Sequence, residues 1–124
     1  MDYVATPDAP HAIGPYSQAV KANGLLFASG QIPLDPATGE LVTGDFSTQA
    51  RRVFDNLAAV LRAADSDFSL VTRATVYLTD LSNFQTLNAI YAEYFGTHKP
   101  ARSTVGVAHL PRGAAVEIDL IALA

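Results

Sequence analysis

Hydrophobic and polar positions along this chain first alternate, then cycle at helical spacing, then alternate again. Gln18-Ala19-Val20-Lys21 and Leu25-Leu26-Phe27-Ala28-Ser29 flank Ala22-Asn23-Gly24. Asn-Gly favours a type I′ turn because both residues tolerate positive φ, so the two runs read as a hairpin. The second run ends at Gly30-Gln31-Ile32-Pro33, and Asp35 to Glu40, with Pro36 and Gly39, reads as a surface turn. Phe46, Ala50, Val53, Phe54, Leu57, Val60, Leu61 and Ala64 then form one apolar helical stripe. Arg51, Arg52, Asp55 and Arg62 fall largely on the other side; Asp45 or Ser47 can cap the start, and Asp65-Ser66-Asp67 stops the helix. Leu70 to Leu78, rich in Val, Thr and Tyr, predicts a strand. A second helix opens at Thr79-Asp80-Leu81-Ser82-Asn83, with Asp80 or Ser82 as its cap. Phe84, Leu87, Asn88, Tyr91, Tyr94 and Phe95 share its heavier face, and Gly96 ends it. Ser103 to Ala108 and Ala115 to Ala122 are the last strands, joined through Leu110-Pro111-Arg112-Gly113. Residues 1–17, with Pro7, Pro10, Gly14 and Pro15, read as an extended arm.

The order is β-β-α-β-α-β-β, which predicts a single α+β domain over residues 1–124. A mixed sheet with both helices on one face satisfies that order. The other face then needs water or a partner, and its Thr, Tyr, Val and Ala content predicts burial in an oligomer.

Composition narrows the function. The 124 residues carry eight Lys and Arg against twelve Asp and Glu, a formal net charge of -4. That excludes a broad nucleic-acid groove, which needs clustered cations to replace phosphate counterions. Cysteine is absent, so there is no disulfide framework, thiolate zinc site or thiol nucleophile. The N-terminus has neither a basic region nor an apolar core of the kind that directs secretion. No apolar run approaches the roughly 18 residues of a membrane span, so no membrane partner is expected. A cytoplasmic protein is the expectation. The glycines form no phosphate-binding run, and His11, His98 and His109 stand at spacings that make no metal cluster. No cofactor is expected.

Two residues stand out chemically. Arg102, in Pro100-Ala101-Arg102-Ser103-Thr104, sits just after a proline at the mouth of a strand. Its planar fork matches a carboxylate with two parallel hydrogen bonds, which lysine cannot reproduce. Glu117 interrupts the apolar run Ala114 to Ala122, where a carboxylate is either a sheet-surface charge, as Asp119 would be, or a functional group. Arg102 holding a small anion and Glu117 acting on it is the reading that joins them; a salt bridge and a half-exposed strand carboxylate are the bland alternatives.

Ala12-Ile13-Gly14-Pro15-Tyr16-Ser17-Gln18-Ala19-Val20, Ser29-Gly30-Gln31-Ile32-Pro33 and Pro100-Ala101-Arg102-Ser103 together resemble the reactive-intermediate deaminase (Rid) or YjgF-like family. Ala74-Thr75-Val76-Tyr77-Leu78, Asn88-Ala89-Ile90-Tyr91 and Val116-Glu117-Ile118 fit it too, so the resemblance covers essentially the whole chain. It implies a chorismate-mutase-like homotrimer, with sheets inside, helices outside and active sites between subunits. It also implies hydrolysis of 2-enamine or 2-imine acids, such as 2-aminoacrylate, to 2-keto acids and ammonia. Arg102 would grip the carboxylate and Glu117 orient the water, with Tyr16, Ser29, Gly30, Asn88 and Thr104 at other pocket positions. Many close members carry cysteine where this chain has Thr104. On residues alone, Tyr16 equally packs the arm, Ser29-Gly30 makes a bulge, Asn88 bonds backbone and Thr104 is a β-former. Two other functions compete: a keto-acid-sensing or chaperone-like trimer, and an endoribonuclease or translation inhibitor.

Overall fold

In the computed structural model, which describes residues 1–124, the strands are β1 (Asp2–Val4), β2 (Ala19–Ala22), β3 (Leu25–Gln31), β4 (Val71–Leu78), β5 (Ala101–Gly106) and β6 (Val116–Leu123). The helices are α1 (Phe46–Ala63) and α2 (Phe84–Phe95). One six-stranded sheet runs in the order β1-β2-β3-β6-β4-β5. Only β4 and β5 pair in parallel; α2 supplies the crossover that a parallel pair requires. Both helices lie on one face, as the pattern predicts. No helix is long and apolar enough to cross a membrane.

Local chemistry sets the element ends. The β2–β3 hairpin closes from Ala22 paired with Leu25, with Asn23 at φ 56° and Gly24 at φ 80°, the signs a type I′ turn demands. Asp45 is the cap of α1, accepting from the Thr48 N–H and hydroxyl at 2.9 Å each. Asp80 caps a short 3₁₀ turn, Leu81–Asn83, accepting from the Ser82 N–H at 2.9 Å, and α2 follows from Phe84.

The core forms where α1 and α2 cover the sheet. Ala74, Val76 and Leu78 of β4 and Val116, Ile118, Leu120 and Ala122 of β6 are buried with Val53, Phe54, Leu57 and Val60 of α1. Side chains alternate across a strand, so Thr75 and Tyr77 of β4, and Glu117, Asp119 and Ile121 of β6, face away from the helices. Tyr3, Val20, Phe27 and Ile121 pair in sequence across that open face. Tyr3 there is 75% exposed and Phe27 44%.

Several boundaries differ from the sequence reading, most by one or two residues, and three of them matter for the site. The arm donates β1, because Asp2–Val4 pairs with Ala19–Lys21. Buried Gln18 ties the rest of the arm down: its amide donates to the Pro10 carbonyl at 2.7 Å and its oxygen accepts from the Thr6 N–H at 2.7 Å. Strand β5 begins at Ala101 and ends at Gly106, so Arg102 lies within the strand and not before it. Pairing with Arg73 of β4 sets that start. Strand β6 starts one residue later than expected, at Val116.

Candidate active site

Glu117 owes its surroundings to a bulge. Pairing between β3 and β6 shifts between Ala28 and Gln31, which puts Ser29-Gly30 out of the ladder. Ser29 is used locally: its hydroxyl donates to the Ser17 carbonyl at 2.6 Å and its N–H to the Gln18 carbonyl at 3.0 Å. At Gly30 a Cβ would stand 2.9 Å from Glu117 Cδ and 3.1 Å from Cγ. The missing side chain is what lets the glutamate lie across the strand.

Glu117, Gly30 and Tyr16 line one cavity of about 300 Å³, together with Ile13, Ile32, His11 and Arg112. Tyr16 is 53% exposed, and its N–H donates to the Gly14 carbonyl at 2.8 Å, a tight bend that turns the arm towards the cavity. Burial, and secondly the charge of Asp119, push the Glu117 carboxyl above its ordinary value. Asp119 itself accepts from the Tyr77 hydroxyl at 3.1 Å. Glu117 is therefore a carboxylate with raised basicity beside a small cleft, a fit for taking a proton from water.

Arg102 occupies a different setting. It is half-buried, with its guanidinium carbon 4.8 Å from the Tyr91 ring centroid and 5.6 Å from that of Phe84. The ion pair of this chain is Arg51–Glu93 at 2.9 Å; Arg102 has no carboxylate partner. Asn88 Oδ1 and Tyr91 OH, on the same face of α2, and Thr104 Oγ1, two residues along β5 from Arg102, are buried with no hydrogen-bond partner. Unsatisfied buried polar atoms are uncommon and call for an explanation.

These groups form two half-sites on opposite faces of the sheet. Arg102 pairs with Ala74 and Thr104 with Val76, both buried under the helices. Glu117 pairs with Tyr77, on the open face. Strand β4 also separates β5 from β6. The structure thus brings Tyr16, Gly30 and Glu117 together, with Ser29 in the bulge beside them, and sets Thr104 on the sheet face of Arg102 and Asn88 on the helix face that carries Phe84 and Tyr91. It does not bring Arg102 to Glu117 within one chain. Sequence reading missed Tyr91 and Phe84 beside Arg102, and Arg112 at the cleft. For Tyr91 and Phe84 a signal existed: both share the Asn88 face of α2 at helical spacing. For Arg112, held at φ 62° in the turn before β6, nothing in the pattern singled it out.

A family model described as Endoribonuclease L-PSP matches residues 6–124. The chain belongs to this family, the Rid/YjgF family. Within the family, protein DfrA of Myxococcus xanthus is 56% identical over 122 residues, covering 97% of this chain and 93% of that one. A human protein named 2-iminobutanoate/2-iminopropanoate deaminase is 43% identical over 120 residues, covering 97% of this chain and 88% of that one. The crystal structure of YyfA from Yersinia pestis, described as a Rid-family protein of unknown function, superposes with a TM-score of 0.97 at 49% identity. That superposition covers 99% of this chain and 98% of YyfA. The names carried by these Rid relatives differ, and only some of them state a reaction.

Proposed function

We propose that this chain is a cofactor-independent deaminase that hydrolyses 2-imino acids, and their enamine tautomers, to 2-keto acids and ammonia. The observation that carries the proposal is the pair of half-sites: a carboxylate of raised basicity in a cleft, and an arginine fork with no protein partner. Their separation on opposite faces of one sheet supports a site shared between subunits, in an assembly we take to be a homotrimer, in which Arg102 of one subunit meets Glu117 of the next. The name of the human relative supports the reaction class.

The chemistry asks little of the protein. The Arg102 fork takes the substrate carboxylate, which fixes the neighbouring C=N carbon. Glu117 takes a proton from water as its oxygen adds to that carbon and passes it to the imine nitrogen, giving a carbinolamine. The carbinolamine hydroxyl then gives its proton through Glu117 to the nitrogen as C=O forms and the C–N bond breaks, so ammonia leaves and the keto acid remains. Each turnover consumes one imine and one water. Tyr16 and the Gly30 backbone wall the cleft.

The test is keto-acid release from an imine generated in situ by a serine or threonine dehydratase, with semicarbazide as competing trap. Wild type is expected to accelerate release, and Arg102→Ala and Glu117→Gln to lose the acceleration. Arg102→Lys is expected to lose on the order of a hundredfold in kcat/KM, because a point charge forfeits the bidentate geometry. No acceleration over the spontaneous rate by wild type sinks the reading. The endoribonuclease named in the family description finds no support in the net charge of -4, since RNA binding draws on clustered cations.

A further inference from the structure

Tyr91 is the one aromatic residue that joins Arg102 to the hydrophobic core. Its ring stacks on Phe95 at 4.2 Å and 16°, and meets Phe54 edge-on at 5.9 Å and 82°. Phe54 is fully buried and Phe95 nearly so, so two core residues fix the plane of the Tyr91 ring. Arg102 lies over that ring, its guanidinium carbon 4.8 Å from the centroid, with Phe84 a second ring at 5.6 Å. Phe84 and Tyr91 are seven residues apart on α2, two turns along one face.

We infer that Tyr91, assisted by Phe84, is a positioning residue that aims the Arg102 fork at the substrate carboxylate. The inference rests on the proposed function, and it names how the carboxylate specificity of that site is built. All five N–H donors of a guanidinium lie in its plane, whereas an aromatic ring attracts its face. A carboxylate neighbour would hold Arg102 equally well but would consume the fork. Two rings hold it, and no carboxylate occupies the fork. The Tyr91 hydroxyl, buried and unpartnered, plays no part in this, so the aromatic ring is the element required.

The test compares wild type with Tyr91→Phe, Tyr91→Leu and Phe84→Leu. The first readout needs no ligand: the Arg102 Nε–Hε resonance in the unliganded protein, shifted by ring current where a ring lies against it. The second is binding of pyruvate, a stable keto acid, against pyruvamide, which lacks the carboxylate. Tyr91→Phe is expected to keep the shift and bind pyruvate within about twofold of wild type. Tyr91→Leu is expected to lose the shift and about tenfold in pyruvate affinity, the factor that ~1.4 kcal/mol of cation–π contact represents. Its weak pyruvamide binding should be unchanged, and its KM for the imine should rise more than its kcat falls. Phe84→Leu, at a partly exposed ring, should show a smaller change in the same direction and covers the case in which Tyr91→Leu does not fold. Wild-type pyruvate affinity in Tyr91→Leu overturns the inference, as does an equal loss in Tyr91→Phe, which would assign the role to the hydroxyl. A wild type that shows the ring-current shift but binds no pyruvate would instead overturn the carboxylate-binding function while leaving the aromatic hold on Arg102 intact.

Discussion

The Glu117 carboxyl is pushed upward first by burial and then by Asp119 on the same strand face, and this has consequences for pH. A base must be ionised to act, so the acidic limb of the pH–rate profile should lie above the ~4.3 of an ordinary glutamate. Asp119→Asn keeps an oxygen for Tyr77 while removing the second cause, and should move that limb to lower pH. A limb unmoved by Asp119→Asn would show that burial alone sets it. Stability runs the other way. A carboxyl whose folded value is raised contributes stability that is present below the unfolded value and is lost as pH rises through the folded one. Glu117→Gln, expected to be inactive, should therefore be more stable than wild type near neutral pH, and the difference should vanish in acid, in denaturant titrations at the two pH values. Gly30 carries the matching steric argument. Its backbone is not in the left-handed region, so Gly30→Ala should fold, but the new Cβ would stand 2.9 Å from Glu117 Cδ. Displacing the carboxylate by about an ångström should cost on the order of a hundredfold in kcat. Retained turnover in Gly30→Ala would mean that the glutamate acts from another rotamer.

At the scale of elements, the arm illustrates how one buried side chain positions part of the cleft. Gln18 contacts the Thr6, Ala9 and Pro10 carbonyls and the Thr6 N–H, and so closes the arm that carries Tyr16 onto β2. Gln18→Ala would leave several buried backbone groups unsatisfied, at about 2–3 kcal/mol in chemical denaturation, with Tyr16 loosened and KM raised. Normal stability would show that water replaces the amide. Gln18 was legible only as the start of a strand, and the reason is general. Features encoded by neighbours in sequence were readable: the Asn23-Gly24 turn, the α1 stripe and the Asp45 cap. Features encoded by pairing partners were not. Strand β1 is three residues, too short for any period, and exists because β2 offers an edge. The start of β5 is dictated by β4. Motifs marked Arg102 and Glu117, but their placement on opposite faces follows from the registers that set Arg102 against Ala74 and Glu117 against Tyr77 of β4, which no local pattern records.

For the whole molecule, the open face of the sheet and the divided site make the same demand. Tyr3, Val20, Phe27 and Ile121 form an apolar row with water on it in a single chain, of the kind that marks subunit contacts. Light scattering should give about three times the chain mass, and Phe27→Glu should lower that mass and abolish activity together. A sharper experiment uses two variants that are each expected to be inactive. Arg102→Ala and Glu117→Gln, unfolded, mixed in equal amounts and refolded, would draw trimers from a common pool of chains. A site that takes its arginine from one subunit and its glutamate from the next is intact when the first chain is Glu117→Gln and the second is Arg102→Ala. Two even choices make about a quarter of all sites complete. Activity should rise from the background of either variant alone towards that fraction of wild type. If each chain carried a whole site, every chain in the mixture would still lack one of the two groups, and no mixing ratio would restore turnover. Absence of complementation in well-formed trimers would therefore place the chemistry within one subunit, against the geometry of the sheet. Recovery near a quarter would make the open face and the catalytic cleft parts of one interface.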